Sequence, residues 1–167
     1  AYINLGITLK NLGQLDAAVK CFKQALAIKP DYAEAHNNLG NALDDLGQLD
    51  AAVKCFKQAL AIKPDFAEAH NNLGNALKDL TQLNEAVKCF KQALAIKPDY
   101  AEAHNNLGNA LKDLTQLNEA VKCFKQALAI KPDYAEAHNN LGNALKDLTQ
   151  LNEAVKCFKQ ALAIKPD

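Results

Sequence analysis

The chain has 167 residues, of which 49% are hydrophobic and 23% are charged, so its composition is that of a folded protein rather than a disordered one. Nineteen lysines balance nineteen acidic residues and there is no arginine, so a strongly basic nucleic-acid-binding surface is not supported. No apolar run approaches the roughly 20 residues that a membrane helix needs, and nothing resembles a signal peptide.

The sequence repeats itself with a period of 34 residues. A fixed period of about 20–50 residues marks an array of structural repeats. We therefore predict a single array, 1–167, with repeats 1–32 (partial), 33–66, 67–100, 101–134 and 135–167. Positions within the repeat are counted from Ala67, and the first repeat begins at the third position.

Two segments of each repeat carry apolar residues at helical spacing. In repeat 67–100 the first stripe is His70, Leu73, Gly74, Leu77 and Leu80. The second stripe is Leu83, Ala86, Val87, Phe90, Ala93 and Leu94. The pattern predicts two helices of about 13 residues, ~20 Å each, and no strand. Small residues at Gly74 and Ala86 are expected to let the two helices approach closely. Because one pair cannot bury its stripes alone, we predict an all-α solenoid of stacked antiparallel pairs.

Residues at the predicted helix ends suggest how each helix starts and stops. Asp65, with Glu68 three residues later, is expected to form a capping box, and Pro98 to end the second helix. Gly13 and Gly47 fit a left-handed residue after the first helix. In the last three repeats this position holds a threonine, which we expect to avoid the left-handed region because a β-branched side chain is strained there. These threonines are Thr81, Thr115 and Thr149.

The recurring pattern resembles the tetratricopeptide repeat (TPR). In repeat 67–100 its signature residues are Leu73, Gly74, Ala86, Phe90, Ala93 and Pro98. The resemblance implies a right-handed superhelix whose first helices line a concave, protein-binding face. The fourth position departs from the usual tryptophan, being Tyr2 once and His36, His70, His104 and His138 thereafter. The amino-acid sequence of the repeats is most similar to that of the TPR region of the O-linked N-acetylglucosamine transferase family.

That resemblance implies that the asparagine at the sixth position lines the groove and holds the backbone of a bound peptide. These residues are Asn4, Asn38, Asn72, Asn106 and Asn140. Asparagine is a mediocre helix former, yet each later first helix has three, and an amide can pair with both peptide C=O and N–H groups. We therefore add the fifth- and ninth-position rows as candidate ligands. They comprise Asn37, Asn71, Asn105 and Asn139, and Asn41, Asn75, Asn109 and Asn143. The alternative is that some of these amides bond to the next repeat or to water.

Other recurring residues are interpreted as structural. A clamp that binds the C-terminal carboxylate of a chaperone would need cations at the second, fifth and sixth positions. These positions hold Glu68, Asn71 and Asn72 here, so binding of a chaperone tail is not expected. The lysine row of the second helices, Lys54 and Lys57 among them, fits a solvated outer face. The histidines fit half-buried packing positions, so acidification to about pH 5–6 is expected to destabilise the array. The five cysteines, one per repeat, indicate reduced thiols and an intracellular, cytoplasmic protein.

The leading hypothesis is a TPR scaffold that binds a protein or extended peptide in its concave groove, without enzymatic activity, cofactor, metal, nucleic acid or membrane. One alternative is a structural or self-assembling solenoid, engineered or natural. The other is an RNA-binding helical repeat, which the period of 34 and the absence of arginine disfavour. The chain opens inside a first helix and stops at Asp167, so we expect uncapped ends that associate end to end.

Overall fold

The computed structural model describes residues 1–166, and within this range every regular element is an α-helix. The first helices of the five repeats are α1 (Tyr2–Asn11), α3 (Ala33–Asp45), α5 (Ala67–Asp79), α7 (Ala101–Asp113) and α9 (Ala135–Asp147). The second helices are α2 (Leu15–Ile28), α4 (Leu49–Ile62), α6 (Leu83–Ile96), α8 (Leu117–Ile130) and α10 (Leu151–Ile164). The predicted all-α class, the helix pairs and the end of each second helix before its proline are confirmed.

The helices form two compact units, Ala1–Gln82 and the part of the chain from Leu83 onward. In the first unit α1 packs on α2 and α3 on α4, while α2 also contacts α3 and α4 contacts α5. In the second unit α7 packs on α8 and α9 on α10, with α6 against α7 and α8 against α9. Each helix therefore buries its apolar stripe against the helices next to it along the chain, as a repeat array requires.

The first helices lie on the inner side of each unit. In the first unit α1 contacts α3 and α3 contacts α5, and in the second unit α7 contacts α9. Among the described residues, the second helices of successive repeats make no comparable contacts within a unit. First helices of successive repeats contact each other and lie close together, whereas the second helices lie further apart. Each unit therefore curves locally toward its first helices.

A glycine and a phenylalanine set the distance between the helices of a pair. Phe56 and Phe124 are fully buried. A Cβ atom added to Gly40 would lie 2.5 Å from Phe56 Cε1, and one added to Gly108 would lie 2.5 Å from Phe124 Cε1. The glycine at the eighth position thus leaves room for the phenylalanine ring of the same repeat. The predicted close approach of the two helices at this glycine is confirmed for these two pairs.

The expectation for the threonines between paired helices is wrong. All three have φ of 61°, close to the 71° of Gly47. The backbone explains why, because Thr115 N–H donates to Lys112 O and Gln116 N–H donates to Leu111 O, both at 2.8 Å. These two bonds form the Schellman-type end that requires a left-handed residue, and they hold threonine in that conformation.

The predicted capping box is also wrong. The residue before α5 is Phe66, no side chain caps this helix, and Asp65 lies outside it. The loop is instead closed by the histidine of the fourth position, since His70 Nε2 lies 2.9 Å from the carbonyl oxygen of Pro64. His36, His104 and His138 make the same contact at 2.9–3.0 Å. The histidine therefore ties each of α3, α5, α7 and α9 to the loop that precedes it.

Candidate functional site

The inner side of each first helix presents a polar stripe. In α7 the second, sixth, ninth and thirteenth positions recur at spacings of three or four residues and share one side of the helix. They hold Glu102, Asn106, Asn109 and Asp113. The opposite side is buried and includes Leu107 and Leu111. The candidate site is this stripe, repeated on the first helices of each unit.

The sixth-position amides are partly accessible and partly engaged. Asn38, Asn72, Asn106 and Asn140 are half-buried and Asn4 is exposed. Asn72 Nδ2 donates to Asn37 Oδ1 at 3.1 Å, and Asn140 Nδ2 donates to Asn105 Oδ1 at 3.0 Å. Each of these two bonds joins a sixth-position amide to the fifth-position amide of the preceding repeat. Within the described residues, the side-chain oxygens of Asn72 and Asn140 have no protein partner.

The fifth-position amides are placed differently from the sixth. Asn37 and Asn71 are each 5% exposed and Asn105 is fully buried, whereas Asn139 is exposed. The three buried amides are not presented to a ligand, and two of them accept the inter-repeat hydrogen bonds just described. Asn38 makes no such bond in the described structure because the preceding fifth position holds Ile3.

The ninth-position row is the least engaged. Its four asparagines are half-buried, and within the described residues their side chains make no hydrogen bond to protein. These residues are Asn41, Asn75, Asn109 and Asn143. The ninth-position amides therefore keep their donors and acceptors for solvent or a ligand.

Charged side chains flank the amides at both ends of the stripe. Each of α5, α7 and α9 carries one glutamate and one aspartate against one lysine, a net charge of −1. Each second helix carries one acid and two lysines, a net charge of +1. The lysines Lys54 and Lys57 are exposed, as a solvated outer face requires. The neutral total thus conceals acidic first helices, apart from α1 with its single Lys10, and basic second helices.

Tyr134, at the last position of its repeat, lies among charged and amide side chains. Lys131 Nζ lies 5.0 Å from the ring centroid of Tyr134 and 3.8 Å from a carboxylate oxygen of Glu102. Burial, together with the nearby carboxylates of Glu136 and Glu102, raises the pKa of Tyr134 to about 12, while a hydrogen bond from Asn105 opposes this shift. Tyr134 is therefore neutral at physiological pH. Sequence reasoning missed it because its approach to Asn105 depends on how successive repeats stack.

The histidines and cysteines offer no cluster that could hold a metal within the described residues. The histidines are half-buried, as predicted. Their Nε2–H donor exists in one neutral tautomer and in the protonated ring, so protonation does not remove the bond to the proline carbonyl. The expected acid sensitivity stays a prediction. None of the cysteines forms a disulfide, and burial raises the pKa of the Cys55, Cys123 and Cys157 thiols.

Comparison with known families decides the class. The TPR repeat model matches residues 6–44, 40–80, 74–114 and 108–148, and the tetratricopeptide repeat model matches residues 135–167. The chain belongs to the tetratricopeptide repeat family. No curated protein matches the chain at a significant level.

Solved TPR structures resemble this TPR chain along almost its whole length. The crystal structure of MamA is 27% identical, with a TM-score of 0.86, over 96% of this chain and 94% of that one. A thermophilic TPR protein of Thermus thermophilus is 28% identical, with a TM-score of 0.83, over 99% and 91%. YrrB, a TPR protein with an unusual peptide-binding site, is 25% identical, with a TM-score of 0.78, over 99% and 86%. None of the described helices is long and apolar enough to cross a membrane.

Proposed function

We propose that this TPR chain is a binding scaffold that holds an extended segment of a partner protein along the inner side of its first helices. The observation that carries the proposal is the row of half-buried sixth- and ninth-position amides, several of which have polar atoms without a protein partner. Such amides can pair with the C=O and N–H groups of an extended backbone. Peptide binding as the class of activity is supported by YrrB, a similar TPR protein that has an unusual peptide-binding site.

The amides supply affinity for a backbone but little selectivity. Each hydrogen bond contributes about 1 kcal/mol net, so the row alone binds weakly. The net charge of −1 on each of α5, α7 and α9 favours a partner segment that carries lysine or arginine. We therefore propose a neutral or basic extended peptide as the partner segment, and binding rather than catalysis as the activity. We also propose an intracellular, cytoplasmic location, because none of the five cysteines forms a disulfide.

The experiment compares two variants that each remove only asparagine amides. In the first variant, four sixth-position residues are changed to alanine, namely Asn38, Asn72, Asn106 and Asn140. In the control, three exposed asparagines at the start of the second helices are changed to alanine, namely Asn84, Asn118 and Asn152. A random dodecamer peptide library is selected on the unmodified chain, and the affinities of the selected peptides are measured by fluorescence anisotropy.

We expect the sixth-position variant to lose at least tenfold in affinity, since each unit loses two amides that each contribute a hydrogen bond of about 1 kcal/mol, and the control to bind normally. Equal binding by all three proteins would remove the amide row from the mechanism while leaving the fold intact. Selection of only acidic peptides would contradict the charge argument. Retention of RNA by the chain at physiological salt would instead favour the RNA-binding class.

A further inference from the structure

A polar network joins the last two repeats in the second unit. Asn105 Nδ2 donates to Glu136 Oε1 at 3.0 Å and lies 3.4 Å from the hydroxyl oxygen of Tyr134. Asn140 Nδ2 donates to Asn105 Oδ1 at 3.0 Å. The network thus runs from an exposed carboxylate, through a fully buried amide, to a half-buried amide on the inner stripe.

The chemistry of these groups fixes the direction of every bond. An ionised carboxylate only accepts hydrogen bonds, so Asn105 must turn its NH₂ group toward Glu136. The Asn105 oxygen then faces the other way and can only be paired by a donor, which obliges Asn140 to present its own NH₂ group. The oxygen of Asn140 is left without a protein partner within the described residues. One carboxylate therefore decides which atom of a second amide is available.

We propose that Glu136 and Asn105 are positioning residues that fix the amide orientation of Asn140, so that its carbonyl oxygen is held ready to accept a backbone N–H of a bound peptide. This inference rests on the proposed function for its purpose, but the orientation itself is a property of the unliganded protein. A fixed amide does not have to reorient on binding, which is a form of preorganisation.

The chain contains a matched junction that lacks the first part of this network. Asn72 donates to Asn37 at 3.1 Å, as Asn140 does to Asn105. However, in the described part of the chain Glu68, the counterpart of Glu136, makes no hydrogen bond to Asn37, and Phe66 has no hydroxyl group at the position of Tyr134. Asn72 points its NH₂ group the same way without this carboxylate, so the two junctions share one orientation, but only the Asn105–Asn140 junction has a carboxylate that can fix it. Identical substitutions at Glu68 and Glu136 can separate this control from a general effect of charge.

The test uses two substitutions of the exposed Glu136 with opposite demands on Asn105. Glu136→Gln offers both a donor and an acceptor, so either orientation becomes possible. Glu136→Lys offers only donors, so Asn105 must present its oxygen to the lysine and its NH₂ to Asn140, which reverses the Asn140 amide. Glu68→Gln and Glu68→Lys are the controls. The side-chain amide resonances are followed by NMR on protein labelled with ¹⁵N-asparagine, with the Asn140 signals assigned from their loss in Asn140→Ala.

We expect Glu136→Lys to shift the Asn140 side-chain resonances and speed the hydrogen exchange of these amide protons several-fold, with a smaller change in Glu136→Gln. The Asn72 resonances should stay unchanged in both Glu68 variants. Unchanged Asn140 resonances in Glu136→Lys would overturn the proposal. So would equal perturbation of Asn72 by Glu68→Lys, because that result would show an effect of charge without the network.

Binding gives an independent readout with the selected dodecamer peptides. If Glu136→Gln leaves the two orientations equally populated, the competent fraction halves and the apparent Kd rises about twofold, with a larger rise for Glu136→Lys. Unaltered Kd values for peptides that depend on Asn140 would overturn the proposal. If no peptide binds the chain, the proposed function fails while the NMR experiment still decides the orientation.

Discussion

Asp44 is the residue whose environment fits its charge least well. It occupies the twelfth position, where Lys10, Lys78, Lys112 and Lys146 stand in the other repeats. One of its carboxylate oxygens is buried without a partner. Burial and the neighbouring Asp79 and Asp45 raise the pKa of Asp44, while Lys10 lowers it. Lys10 instead pairs with Asp45 at 2.8 Å, which leaves Asp44 uncompensated.

A raised pKa means that the folded state disfavours the Asp44 carboxylate. Its favourable contribution is present below the ordinary pKa of 3.8 and is lost as the pH rises through the folded-state pKa. We therefore expect Asp44→Asn to stabilise the protein by about 1 kcal/mol at pH 7 and by little at pH 4. Urea denaturation at both pH values measures the difference. Asp45→Asn is the control and should be neutral or slightly destabilising, since an exposed ion pair contributes ~0–1 kcal/mol. An unchanged midpoint for Asp44→Asn at pH 7 would contradict this.

The raised pKa of Tyr134 leads to a prediction at alkaline pH. Its pKa of about 12 exceeds the ordinary 10.0, so the neutral phenol stabilises the fold below pH 10 and this contribution is lost as the pH rises toward 12. The matched substitution is Tyr134→Phe, because the equivalent residue of repeat 33–66 is Phe66. The difference in phenolate absorbance between the unmodified chain and this variant should titrate with a midpoint near 12. A midpoint near 10 would show that the ring is not buried in solution.

At the scale of the helices, the turn between paired helices carries backbone strain in three repeats. A left-handed conformation costs an L-residue about 1–2 kcal/mol relative to glycine, and threonine is β-branched as well. Thr115→Gly is therefore expected to raise the free energy of unfolding by about 1 kcal/mol. Thermal unfolding followed by circular dichroism measures this. The reverse change, Gly47→Thr, should destabilise by a similar amount, and a loss of stability in Thr115→Gly would show that the strain is relieved by other contacts.

Packing within a helix pair sets two effects of one substitution against each other. Gly108→Ala should gain about 1 kcal/mol from helix propensity but force a methyl group to 2.5 Å from the fully buried Phe124 ring. Overpacking of this kind costs about 1–3 kcal/mol, so we expect net destabilisation. Gly142→Ala is the graded control, since it faces Phe158 at 2.7 Å and that ring is only half-buried. Stabilisation in Gly108→Ala would mean that the helices separate easily.

At the scale of the whole molecule, apolar side chains are exposed at the first and last repeats. Leu12 and Ile28 are 67% and 73% exposed, and Leu151 and Val155 of α10 are 60% and 50% exposed. Beside α10 an open cavity of about 520 Å³ is lined by Asn139, Phe158 and Leu162 among others. The equivalent leucine and valine of α8, which packs on α9, are half-buried, so these surfaces are of the kind that another repeat covers.

We therefore expect the 167-residue chain to associate end to end as its concentration rises. Val155→Lys combined with Leu162→Lys should weaken this association at least tenfold, because each change places a charge on an apolar contact surface. Sedimentation velocity over a range of concentrations measures the effect. Ala163→Lys is the control, because the twenty-ninth position is exposed in every repeat. A monomer at all concentrations would refute the prediction.

Much of the fold follows directly from the sequence, because the information is local. The period of 34, the apolar stripes and the proline after each second helix suffice to place ten helices in pairs. The asparagine rows could be found for the same reason, since an excess of poor helix formers on one helix is visible without coordinates. Glycine at the eighth position also indicated the close approach that Gly108 and Phe124 show.

The tertiary structure decided which amides are accessible and how they are joined. Asn105 and Asn106 are adjacent in sequence, yet one is fully buried and the other half-buried, because a rotation of about 100° per residue separates a contact with the next repeat from the inner side. The bonds from Asn105 to Glu136 and from Asn140 to Asn105 connect residues 31 and 35 positions apart. Their geometry depends on the register between stacked repeats, which is set by packing of the helices rather than by any local pattern. The left-handed threonines have the same origin, since the hydrogen bonds that end the first helix fix the backbone whichever residue occupies the turn.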